Sequence, residues 1–158
     1  MHSDDLGLTR FTVNLESQLL LERDLPAAEE FLASVGGMFV QREQDPPGKL
    51  WAVMQPRNRE RAPFTVRMIW TVYPHRPPSV HFADEPGGVT TVTRAWPAAD
   101  GYRASSNDIC KPFTAEGHQL HADWASGPYA WSGTGNPLLY VLETIQGDID
   151  RSDGRRAA

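Results

Sequence analysis

Cysteine is almost missing from this chain: Cys110 is the only one in 158 residues. A single thiol cannot close an internal disulfide, so a reducing compartment is the expected setting. The CxxC pairs that usually build structural zinc sites are missing as well. His118 and His121 near Cys110 therefore make a poor zinc set, and no metal or cofactor is expected. Positive charge is also short, with 15 Lys and Arg against 20 Asp and Glu and a net charge of −5. Phosphate backbones are bound by clustered cations, and the one arginine-rich stretch (Arg57, Arg59, Arg61, Arg67) is broken by Glu60. A nucleic-acid partner is not expected. No apolar run approaches the ~18 residues of a membrane span. Residues 1–5 show no basic region running into an apolar stretch, so neither a membrane partner nor a signal peptide is expected. What remains is ordinary globular usage, 40% hydrophobic and 22% charged, at a length that suits one domain. The expectation is a single cytoplasmic domain over residues 1–158.

The hydrophobic period changes along the chain. Leu8, Phe11, Leu15 and Leu19 recur at helical spacing and predict one helix face. Pro26 then interrupts, and Asp24 is a candidate cap for a second segment carrying Ala28, Phe31, Leu32 and Val35, ended by Gly36-Gly37. From residue 38 the period is two. Strands are predicted at 38–43 and 49–54, around a turn at Asp45-Pro46-Pro47-Gly48. Phe64, Val66, Met68, Trp70 and Val72 alternate with Thr65, Arg67, Ile69 and Thr71 in a third strand, whose apolar set should face the helices. Val80 and Phe82 mark a fourth strand. Short links favour an antiparallel meander.

Residues 84–136 are irregular and rich in Gly, Pro and Ser. Their aromatics, Trp96, Tyr102, Phe113, Trp124, Tyr129 and Trp131, argue for order because each can bury a large area. Asn136-Pro137 then reads as a cap followed by proline at the first helical position. Leu138, Val141, Leu142 and Ile145 form an apolar stripe closed by Gly147, and residues 148–158 are expected to fray. The fold class is α+β: an N-terminal helix, a four-stranded antiparallel meander, an irregular active-site segment and a C-terminal helix.

Two local segments carry a resemblance. Tyr73-Pro74-His75-Arg76-Pro77-Pro78-Ser79-Val80-His81-Phe82 resembles the YPxxPPxVxF corner of ubiquitin-conjugating enzymes. Asn107-Asp108-Ile109-Cys110 is similar to the segment that presents their active cysteine. The order of elements over residues 8–147 fits the same family. The resemblance implies a divergent, prokaryotic-type member that carries a ubiquitin-like protein as a thioester on Cys110. Its implied partners are that protein, an activating enzyme and an acceptor amine. It departs from the family at two points. Where the family has His-Pro-Asn, this chain has Trp96-Pro97-Ala98, without the asparagine thought to stabilise the oxyanion. The segment from Cys110 to the final helix is also longer than in typical members.

The residue chemistry is compatible with this. Thiolate is a strong nucleophile, and a thioester stays reactive towards amines. Cys110 lies in a polar setting between Asp108 and Lys111-Pro112, although burial as a small hydrophobe is the commoner fate of a free cysteine. His121 is the preferred candidate base, with Trp124 placed to pack on its ring. His118 is the second candidate, and Asn107 is a candidate oxyanion donor. Surface histidines in a polar loop are the plain alternative. Besides the conjugating enzyme, two further readings stand: a catalytically weak or inactive module of the same fold that only binds a ubiquitin-like protein, and a cysteine hydrolase using Cys110 and His121. Papain-like hydrolases place their histidine far along the chain, which weighs against the last.

Overall fold

The computed structural model describes residues 14–158, so Leu8 and Phe11 lie outside the described residues. Asn14 caps helix α1 (Leu15–Ser34), its side-chain oxygen accepting from the Ser17 amide at 2.8 Å. The buried face of α1 is Ser17, Leu21, Asp24, Ala28 and Leu32. This corrects the predicted face, because Leu15 and Leu19 are 68% and 56% exposed. The two stripes differ by two positions, which on a helix of about 3.6 residues per turn places them on nearly opposite sides. Pro26 does not divide the helix and Asp24 is not a cap; both lie inside it.

Asp24 is inside because it has partners. The Tyr73 hydroxyl donates to its carboxylate at 2.5 Å, Arg23 donates to it at 3.0 Å, and Asn136 donates to its backbone carbonyl at 2.9 Å. A buried carboxylate is tolerated when paired and hydrogen-bonded, and these bonds brace the turn in which proline removes a helical donor. Gly36, at φ +84°, takes the left-handed conformation that follows the helix end.

Strands β1 (Met38–Val40), β2 (Lys49–Met54), β3 (Phe64–Ile69) and β4 (Ser79–Ala83) form one antiparallel sheet in chain order. β1 is shorter than predicted, since a turn joins the Asp45 amide to the Arg42 carbonyl at 3.1 Å. The register sets Ala52 opposite Val66, and Val66 opposite Phe82. The inner face is therefore one apolar surface. It packs into a core shared with Leu32 of α1 and with Leu138, Val141, Leu142 and Ile145 of the last helix. Phe64, Val66, Met68 and Trp70 are buried there as expected. Val72 lies beyond the strand and is half-buried.

The proline-rich corner after Trp70 begins with a cis Tyr73–Pro74 peptide. The Tyr73 ring is buried, and its hydroxyl also accepts from the Leu138 amide at 3.2 Å. One hydroxyl thus links the first helix to the last, and burial pushes its pKa well above the ordinary tyrosine value. Tyr73→Phe should cost about 1–3 kcal/mol, because it leaves buried polar partners short of a bond. Urea unfolding should show a lower midpoint at unchanged slope. An unmoved midpoint would mean the hydroxyl contributes nothing.

The long irregular segment is organised around short elements: a hairpin of β5 (Tyr102–Arg103) and β6 (Asp108–Ile109), then helix α2 (Ala115–Leu120). Trp96, Tyr102 and Phe113 are buried, but Tyr129 is 55% exposed, unlike the packed ring expected of it. Helix α3 (Pro137–Arg151) starts as predicted, with Asn136 accepting from the Leu139 amide at 3.0 Å. It runs through Gly147, and the chain after it is not frayed. Arg156 donates to the Pro63 carbonyl at 2.6 Å and lies 4.0 Å over the Phe64 ring, while the Ala157 amide bonds Trp96. Composition suggested a loose tail; non-local bonds hold it. Among the described residues no helix is long and apolar enough to cross a membrane.

Candidate active site

Cys110 sits directly after β6. Its amide donates to the Gly101 carbonyl at 2.8 Å, extending the hairpin pairing of Tyr102 with Ile109. Ile109 is fully buried and Tyr102 nearly so, with the Tyr102 hydroxyl bonded to Asp148 at 2.7 Å. The hairpin is therefore anchored from below while Cys110 itself stays half-buried.

The chain beyond Cys110 folds back over it. Thr114 caps α2 by accepting from the Gly117 amide at 2.9 Å, and its hydroxyl donates to the Ile109 carbonyl at 2.6 Å. The Ala115 amide bonds the Pro78 carbonyl at 2.8 Å, and the Ser79 hydroxyl bonds Glu116 at 2.6 Å. Gly117 packs against the backbone of Lys111, where a Cβ would collide with the carbonyl oxygen. The helix is thereby held close to the cysteine segment.

At the C-terminal end of this helix stands His121. Its Nε2 lies 3.2 Å from the Cys110 sulfur, within hydrogen-bond reach of a sulfur partner. The imidazole stacks on Trp124, with centroids 4.1 Å apart and planes 15° apart, which holds the ring's orientation. Asp123 approaches Nδ1 only to 4.0 Å and is 82% exposed, so it steadies the ring weakly. The ten residues between Cys110 and His121 are closed into contact by the short helix.

The other predicted residues take different places. His118 donates from Nε2 to the Pro112 carbonyl at 2.7 Å; a carbonyl only accepts, so that nitrogen carries the proton. His118 braces the loop after the cysteine. Asn107 occupies the left-handed turn of the hairpin at φ 55°, a conformation asparagine tolerates well, and its side-chain oxygen is buried without a partner among the described residues. The left-handed turn by itself favours this residue type. The Trp96 stretch is core: the ring is fully buried, and its N–H donates to the Thr90 carbonyl at 2.9 Å.

Several contributors were not singled out from the sequence. Arg103 pairs with Asp108 at 2.7 Å, beside the cysteine; the hydrogen bond to Asp108 raises its pKa, with a smaller pull from Cys110. Behind the loop, His81 and Arg67 are joined at 3.2 Å. Burial lowers the pKa of both, with Glu116 pulling each the other way. Thr114 followed by Glu116 was a readable helix-start signal, masked by the irregular composition around it. Arg103 pairing with Asp108 depends on a hairpin that periodicity does not reveal. No protein-family model, curated protein or solved structure matches the chain.

Proposed function

We propose that this protein is a carrier of the ubiquitin-conjugating type. Cys110 accepts a ubiquitin-like protein from an activating enzyme as a thioester, and passes it to an amine such as a lysine side chain. The observation that supports this best is the contact of 3.2 Å between the Cys110 sulfur and His121 Nε2. A module that only binds a modifier has no need of a base beside its sole thiol.

The chemistry runs through that pair. His121 takes the thiol proton, and the thiolate attacks the incoming thioester carbonyl. One C–S bond forms as another breaks, and the activating enzyme's sulfur leaves as a thiol with the proton from His121, which is neutral again. In the transfer step the neutral Nε2 takes a proton from the attacking amine, while sulfur leaves with the electron pair of its bond to carbon. Arg103 is held by Asp108 across the hairpin that presents Cys110, which places a cation on the same hairpin as the nucleophile. The proposed setting is a reducing cytoplasm, which keeps the thiol free.

Discharge kinetics test the role of His121. With Cys110 preloaded and the activating enzyme quenched, His121→Ala should release the modifier to free lysine about 10²-fold more slowly than the parent. Equal rates would remove His121 from the mechanism.

A further inference from the structure

The site also bears on what happens when no amine is present. We infer that the Cys110–His121 pair hydrolyses small activated acyl esters and thioesters by itself, with water as the final acceptor. This rests on the assignment of Cys110 as nucleophile and His121 as base, but requires no modifier, activating enzyme or acceptor protein.

Solvent access to the base is the deciding feature. Aminolysis and hydrolysis of a thioester differ only in which nucleophile stands beside that base. Once Cys110 is acylated it has no proton to share, and Nε2 is free for another partner. That nitrogen belongs to a side chain 42% exposed, next to an Asp123 that is 82% exposed and a half-buried cysteine. Ala122 and Ala125, flanking this stretch, are exposed as well. Water therefore reaches the same position as an amine. Trp124 is stacked on one face of the ring and itself meets Tyr129 at 5.7 Å, which favours the orientation that aims Nε2 at the sulfur. A positioned base, an attached acyl group and open solvent together make a hydrolytic site.

The steps balance. The thiolate attacks the ester carbonyl, a C–S bond forms, and the C–O bond breaks to release the alcohol, which takes the imidazolium proton. A water then gives its proton to neutral Nε2 as its oxygen attacks the acyl carbon. The C–S bond breaks, sulfur leaves as thiolate, and the imidazolium proton restores the pair. The net reaction is ester plus water giving acid plus alcohol, with no oxidant or cofactor. The spacing that counted against a hydrolase in the sequence is immaterial once α2 closes the loop.

p-Nitrophenyl acetate on the full chain is the probe, followed by nitrophenolate absorbance and intact mass. The parent should turn over repeatedly, and Cys110→Ala should fall to the solution background. His121→Ala and His121→Gln should accumulate acetyl-Cys110, lost about 10²-fold more slowly than from the parent. Acetyl-Cys110 as long-lived in the parent as in His121→Ala would overturn the inference. So would a parent that releases no more nitrophenolate than Cys110→Ala. Neither result touches modifier carriage, which is read separately by charging with the activating enzyme. Conversely, failure to charge would leave ester turnover standing.

Discussion

Incubated with a cognate activating enzyme, a ubiquitin-like modifier and ATP, the parent chain should gain a gel-shifted adduct that reductant removes, and Cys110→Ala should gain none. The effect is expected to be complete because the chain has no second cysteine to take over the thioester. Cys110→Ser separates the two parts of the assignment. A hydroxyl is a far weaker nucleophile at neutral pH, and its oxyester resists reductant, so the serine variant should show a stable adduct or no adduct. The alanine variant should keep its fold, since Cys110 is only half-buried and its anchoring bond to Gly101 is made by the backbone amide. A reductant-sensitive adduct surviving in Cys110→Ala would falsify the carrier assignment outright.

The largest loss of stability should come from Trp70→Ala, at roughly 3–5 kcal/mol. Trp70 is 1% exposed and follows β3, its amide bonded to the Gly48 carbonyl at 2.8 Å. Its ring meets Tyr73 edge-on at 4.8 Å and lies 6.1 Å from Trp131, whose own N–H donates to the Pro74 carbonyl at 2.9 Å. Removing it opens a cavity where the end of the sheet, the proline corner and the segment before α3 meet. A loss of this size is a large share of the ~5–15 kcal/mol that holds typical domains together. Urea unfolding of parent and variant would measure it. A change below about 1 kcal/mol, less than the usual cost of a large core deletion, would show the ring to be dispensable.

Much of the fold was readable because its signals are local. The alternation from Phe64 to Trp70 specifies a strand with one buried face, and Asn136-Pro137 followed by Leu138, Val141 and Leu142 specifies a capped helix. Both need only nearest neighbours and a period. The first helix misled for the opposite reason. Its true inward stripe contains Ser17 and Asp24, whose burial depends on partners distant in the chain, notably Tyr73 and Asn136. Residues 148–158 misled in the same way: they look loose by composition, yet Arg156 and Ala157 are held by bonds to residues near 63 and 96.

For the site, the sequence alone determined that any thiol chemistry must fall on Cys110, since there is no other, and it placed His118 and His121 in the neighbourhood. It ranked His121 above His118 because Trp124 is near it in sequence, but it did not show which ring reaches the sulfur. That was decided by α2, through Thr114 bonding back to Ile109 and Gly117 seating against Lys111, which turns His121 onto the sulfur and commits His118 to the Pro112 carbonyl. Spacing along a chain limits how far apart two side chains can be. Which of them points at the sulfur depends on helix phase and on backbone contacts, and these exist only once the tertiary structure has formed.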